Sequence, residues 1–170
     1  MNRPITTFEA DLHAAVEFFS NDEVARELPF MHSFPKNCCE VVTALFAQAL
    51  SSKYVSSNVV RVCGTKPNTS EQHFWVEVAG LTIDPTAHQF EGAAQPFIGK
   101  TSSPLGAVYS EVREETTSEA LLALRSLNID ASMQATVLQR LVAKLGPNPS
   151  IEGTSASGLR PLADALHVKR

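Results

Sequence analysis

Cysteine, histidine and aspartate occur in this chain in an order that could do covalent chemistry. Cys38 and Cys39 are adjacent, His73 follows, and Asp84 comes eleven residues after the histidine. A thiol nucleophile needs a base to take its proton and a third group to orient that base. The cysteines stand where a helix is expected to begin. There the unpaired backbone N–H groups and the helix dipole favour a thiolate. His73 opens one strand-like segment and Asp84 closes the next, so a turn at Ala79-Gly80 sets them facing each other near the open end of a hairpin. An aspartate so placed can accept from one imidazole nitrogen and leave the other for the thiol, the logic of the serine triad written as Cys, His, Asp. Each residue alone also has a structural reading: a small buried Cys, a structural His, an Asp-Pro turn. Only the combination points to chemistry.

The elements that must position these residues are legible from periodicity. Phe8, Leu12, Ala15, Val16 and Phe19 form a helical stripe over about Thr7 to Ser20. Asn21 and Asp22 can cap a short second helix. Residues 36–55 contain no Gly or Pro and carry a wide apolar stripe, Val41, Val42, Leu45, Phe46, Ala49 and Leu50, which predicts a largely buried helix starting at the cysteines. Val59–Cys63, His73–Val78 and Leu81–Asp84 read as strands, the last two joined as an antiparallel hairpin. A Gly/Pro-rich loop is expected to about Leu105 and a strand over Ala107–Val112. Helices follow over Ser118–Leu127 and Ser132–Leu145, the second stopped by Gly146 and Pro147. The expected class is α+β: helices, a small antiparallel sheet, then helices. Residues 1–145 read as one catalytic domain, and 146–170 as a flexible linker ending in a short amphipathic helix, Leu159 to Val168.

Composition excludes several classes. A chain of 170 residues with 44% apolar and 19% charged residues suits one folded domain rather than a disordered chain. The net charge is −4 with no basic stripe, so nucleic acid is not an expected partner. No apolar run approaches the roughly 18 residues that span a bilayer. Glu9 and Asp11 interrupt the start of the chain, so no secretory leader and no membrane association are expected. Three cysteines, two of them adjacent, make no disulfide framework, which points to a reducing cytoplasm. Export as an effector without a leader is the other reading. Cys38, Cys39, Cys63, His73 and His88 lack the CxxC or HxxxH spacing of structural zinc, so neither metal nor cofactor is expected.

The segments Cys39-Glu40-Val41-Val42-Thr43-Ala44-Leu45-Phe46, His73-Phe74-Trp75-Val76-Glu77-Val78 and Ile83-Asp84-Pro85-Thr86 together resemble the transglutaminase-like branch of the papain-like cysteine hydrolases. The likeness covers residues 34–90 and is strongest to small bacterial and phage proteins of unassigned role, which also carry Gln-Phe where this chain has Gln89-Phe90. The resemblance implies a nucleophile helix packed on a small antiparallel sheet, with extra C-terminal helices here. It also implies Cys39 as the nucleophile: Thr43 is the small residue four positions on, and Leu45 and Phe46 are the large ones beyond it. In that register His73 is the base and Asp84 its orienter. The family often has Gly two residues before the Cys, where this chain has Asn37, whose side chain could instead cap the helix.

The Cys39 N–H is one expected oxyanion donor, and Asn37, Ser33 and Gln72 are candidates for the second. Trp75 shares the His73 face, as a core aromatic or as substrate lining. Glu77 reads as a structural hydrogen-bond partner, and His88 as a weaker candidate base than His73. The implied activity is acyl transfer on a peptide or protein carboxamide: peptidase, amidase, glutamine deamidase or transglutaminase-type. The alternative is a catalytically silent protein-binding module on the same scaffold, using an aromatic groove and the C-terminal helices.

Overall fold

In a computed structural model, which describes residues 5–100 and 103–148, helices and strands segregate along the chain. The order is α1 (Ile5–Asn21), α2 (Glu23–Arg26), α3 (Cys39–Lys53), β1 (Val59–Thr65), β2 (Gln72–Val78), β3 (Leu81–Asp84), β4 (Phe97–Gly99), β5 (Glu111–Thr116), α4 (Thr117–Ala123) and α5 (Ala131–Leu145). The five strands form one antiparallel sheet in the order β4-β3-β2-β1-β5. The class is α+β.

The helix that starts at the cysteines is central. Nine of its residues, from Val41 to Leu50, are buried, because it packs against β1 and β2 on one side and against α4 and α5 on another. Leu45, Phe46 and Leu50 are fully buried, each worth about 1.5–3 kcal/mol relative to exposure. The large core joins α1, α3, α4 and α5 to one sheet face, through Val59, Val76, Val78, Leu81 and Ile83. Alternation along the strands sends Val62 and Trp75 to the other face, where Tyr109 covers them in a second, smaller core. Capping marks the helix boundaries: Asp22 accepts from the N–H groups of Val24 and Ala25, Thr116 and Glu119 form a capping box, and Asp130 accepts from Met133 N–H.

Three expectations change. The strand expected at Ala107–Val112 lies at Glu111–Thr116, after a 3-10 turn over Pro104–Ala107. It is an edge strand, mostly exposed on both faces and held by pairing with β1, so it carries no apolar alternation to read. The expected loop before Leu105 contains β4, three half-buried residues paired to β3 with Asp84 opposite Phe97. The C-terminal boundary also moves. Lys53 Nζ donates to the Leu145 carbonyl at 2.6 Å, and Asn148 Nδ2 to the Lys53 carbonyl at 2.9 Å, so the packed body reaches Asn148 rather than stopping at 145. The Leu159–Val168 piece lies outside the described residues.

β1 also holds an arginine on the same face as Val59, so alternation turns it toward the core, where its charge needs partners. Arg61 is fully buried, with its guanidinium 4.7 Å from the Phe74 ring centroid. It donates to the Glu115 carboxylate of β5 and, at 3.0 Å, to the Glu40 carbonyl in the first turn of α3. One side chain thus ties the sheet edge to the end of the helix that carries Cys39.

Candidate active site

Asn37 sets the approach to α3. It takes the left-handed conformation, φ 59°, which Asn tolerates better than most residues. This does the work of a glycine, and its side chain does not cap the helix; the N-cap position is Cys38, which provides no side-chain cap either. Thr43 donates its hydroxyl to the Cys39 carbonyl at 2.6 Å, which accounts for a small hydroxyl residue one turn on. The two adjacent thiols differ sharply. Cys38 is fully buried, and burial above all, with Cys39 beside it, pushes its pKa up to about 12. Cys63 is also buried and shifted upward for the same first reason. Only Cys39 is partly exposed.

His73 meets Asp84 as a diagonal neighbour. β2 and β3 pair Val76 with Ile83, so Trp75 stands across from Asp84, and His73 lies further along the same face. The direct His73–Asp84 facing expected from the sequence is therefore corrected: the turn at Ala79-Gly80 sits one residue too far on for it. The contact still forms, with His73 Nε2 2.6 Å from Asp84 Oδ2 and both side chains fully buried. Asp84 Oδ1 accepts from the Thr86 N–H at 3.0 Å and from its hydroxyl at 3.2 Å. The Asp-Pro-Thr sequence is thus a clamp that aims one carboxylate oxygen at the imidazole.

The His73 ring is walled by aromatics: Phe90 edge-on at 4.9 Å between centroids, Tyr109 at 5.6 Å and Trp75 at 6.2 Å. Burial pulls its pKa down, but the Asp84 hydrogen bond, the neighbouring Cys39 thiol and their charges outweigh burial and lift it to about 9. Nδ1 has no hydrogen-bond partner among the described residues. The site can therefore hold an imidazolium through neutral pH, with one nitrogen fixed by a carboxylate and the other available.

Cys39 opens into a cleft of about 320 Å³ that also exposes parts of Asn37, Gln72, Gln89, Phe90 and Tyr109. The structure thus brings Asn37 and Gln72 to the same cleft as the thiol. Trp75 does not line it. It is 4% exposed, gives its indole N–H to Glu77 Oε1 at 3.2 Å, and packs with Val62 and Tyr109. Glu77 accordingly has the hydrogen-bond partner expected of it. Ser33 spends its hydroxyl on the carbonyls of its own turn, Phe30 and Lys36. His88 lies edge-on to Phe34 at 5.9 Å, and burial lowers its pKa. Among the described residues no group of three or more His, Cys, Asp or Glu side chains is placed to hold a metal ion, and no helix is long and apolar enough to cross a membrane.

The sequence reading missed the residues that enclose the site. Tyr109 is buried, donates its hydroxyl to Glu71 Oε1 at 2.6 Å, and comes from a turn far along the chain. Gly64 pairs with His73 inside β1. A Cβ there would lie 2.6 Å from the Trp75 ring and 2.7 Å from the Tyr109 carbonyl, so only glycine allows the aromatic wall to close. A glycine inside a strand pattern was the one available signal of that close approach.

Searches against protein-family models, curated proteins and solved structures find no match to this chain. Any functional reading rests on the site itself.

Proposed function

We propose that the protein is a thiol-dependent acyl-transfer enzyme with a papain-like, transglutaminase-like core, acting on a peptide or protein carboxamide. The observation that carries this reading is the buried His73 ring, held by Asp84 through Nε2, with Nδ1 unpartnered and the half-buried Cys39 thiol beside it. Cys39 Sγ attacks the carbonyl carbon, and the C=O electron pair moves onto oxygen. His73, charged by the thiol proton, returns that proton to the leaving amine as the tetrahedral intermediate collapses to a thioester. Asp84 keeps the ring in one orientation and stabilises the imidazolium. Water, or a second amine, then cleaves the thioester, so the same residues serve hydrolysis, deamidation or cross-linking. No cofactor enters any step. A cytoplasmic setting suits a site that depends on a free thiol.

The alternative, a silent binding module, has one observation in its favour: His73 Nδ1 has no hydrogen-bond partner among the described residues. Resting catalytic pairs are often loose and tighten with substrate, so the enzyme reading stands ahead. Iodoacetamide labelling, mapped by peptide mass, tests the choice. An active site labels Cys39 far faster than Cys38 or Cys63; equal slow labelling of all three supports the binding module.

A further inference from the structure

The Cys39 cleft carries one charge that no group of the protein answers. Glu40 is the second residue of α3 and lines the same cleft as the thiol. Helical side chains lean toward the N-terminus of their own helix, which sends the Glu40 carboxylate back toward the mouth where Cys39 stands. Glu40 is half-buried, and burial pushes its pKa up. A carboxylate partly withdrawn from water is ordinarily met by a cation or by hydrogen-bond donors. Among the described residues the Glu40 carboxylate has no hydrogen bond and no ion pair. Its oxygens are not sealed from solvent, so a group entering the cleft can reach them.

The charges around Glu40 are committed elsewhere. Arg61 and Arg113 are the cations whose charge it feels, and both donate to Glu115. Arg61 gives its Nη1 to the Glu40 carbonyl, not to the carboxylate. Glu71, the other carboxylate of the cleft, accepts from the Tyr109 hydroxyl and pairs with Lys66 at 3.3 Å. Among the described residues no Lys or Arg lines the cleft, while Phe90 and Tyr109 give it an apolar wall against which a long aliphatic stem can lie. The cleft is a site on separate grounds: the fully buried His73 Nδ1 has no partner, and the Cys39 thiol stands beside it.

We propose that Glu40 selects acyl substrates that carry a cationic side chain, an ammonium or guanidinium on an aliphatic stem, next to the reacting carbonyl. This rests on Cys39 being the acylating nucleophile and makes Glu40 a specificity residue. The substrate supplies the cation that the protein withholds, and a carboxylate at the same place on a substrate is repelled.

The test compares the p-nitrophenyl esters of Nα-acetyl-lysine, Nα-acetyl-arginine and Nα-acetyl-norleucine. With each, Cys39 Sγ bonds to the carbonyl carbon, its proton passes to His73, and collapse expels p-nitrophenolate, leaving a thioester that mass spectrometry places on Cys39. Each rate is divided by that ester's rate with N-acetylcysteine, which removes the ester's own reactivity. Wild type is expected to prefer a cationic ester to the norleucine ester about tenfold, the order of one partly desolvated charge pair; whether lysine or arginine leads tells which cation fits. The ratio also cancels any change in the thiol, since all three esters meet the same sulfur. Glu40→Gln is expected to bring the ratio close to one, and Glu40→Asp, which keeps the charge, to restore part of it. A Glu40 that serves only the helix dipole lowers Tm in Glu40→Gln and leaves the ratio at its wild-type value, which overturns the assignment. A ratio erased by Glu71→Gln instead of Glu40→Gln overturns it too. If Cys39 is acylated with no preference for either cation, only the Glu40 assignment falls. If no ester acylates Cys39, the acyl-transfer reading falls and takes Glu40 with it.

Discussion

Asp84 holds His73 across a diagonal of the β2–β3 pair, while Trp75 occupies the position directly opposite the aspartate. The tetrad Asp84, Thr86, His73 and Trp75 therefore works as one unit. Thr86 aims the carboxylate, the carboxylate aims the imidazole, and the indole on the intervening position fills the sheet face between them.

That relationship sets the pH behaviour. His73 has a pKa raised from 6.5 to about 9, so its imidazolium persists through neutral pH and is lost on the alkaline side. kcat/KM is expected to fall above about pH 9. Asp84→Asn removes the carboxylate that stabilises the imidazolium, which lowers the rate and moves the alkaline limb to lower pH. A profile identical in wild type and Asp84→Asn would take Asp84 out of the mechanism. Stability follows the same sign. A folded pKa above the unfolded one contributes stability that is complete below about pH 6.5 and is lost as pH rises through about 9. The gap in Tm between wild type and His73→Gln should narrow over that window.

The two adjacent cysteines should separate cleanly. Cys39→Ala is expected to abolish turnover with little loss of stability, because the side chain is only half-buried. Cys38→Ala should retain most activity and cost about 1 kcal/mol in urea unfolding, the price of a small buried group. The opposite pattern of turnover would assign the nucleophile to Cys38.

Gly64→Ala tests the aromatic wall. A methyl group at Gly64 meets both Trp75 and the Tyr109 backbone, so the loop that carries Tyr109 must move off His73. Destabilisation of about 1–3 kcal/mol, with slower Cys39 alkylation, is expected; Gly80→Ala provides the contrast, since nothing lies near a Cβ there and its left-handed strain is remote from the site. Full Cys39 reactivity in a folded Gly64→Ala variant would mean that the wall does not govern His73.

Core and surface leucines of the C-terminal helices should differ by size of effect. Leu141 is fully buried in α5, and Leu141→Ala is expected to cost about 2–5 kcal/mol. Leu122 is 59% exposed, and Leu122→Ala should stay within about 0.5 kcal/mol. A chain ended after Leu145 lacks the Asn148 hydrogen bond to Lys53 and should melt below one ended after Asn148. Equal Tm values for those two chains would show that Asn148 adds nothing.

Much of the frame was legible because it rests on local patterns. The helical stripes of α1, α3 and α5, the caps at Asp22 and Gly146, and the hairpin around Ala79-Gly80 all follow from periodicity and turn chemistry. What escaped rests on long-range contact. β5 is held by pairing rather than burial, and β4 is too short to show a period. The partners that close around Arg61, Glu115 and the Glu40 carbonyl, lie far from it in sequence. Gln89 and Phe90 were visible as a motif, but their proximity to Cys39 and His73 was not. Tyr109 had no local signal at all.

The central claim is that His73, held by Asp84, activates Cys39 as the nucleophile. Its most direct test is the rate of Cys39 alkylation by iodoacetamide at pH 6 and pH 8, in wild type and in His73→Ala. An ordinary thiol, with a pKa of about 8.5, reacts far more slowly at the lower pH. The account predicts that His73→Ala loses about tenfold or more of the wild-type Cys39 rate at pH 6, where the imidazolium is present. A pH 6 rate that is the same with and without His73, in folded protein, would contradict it.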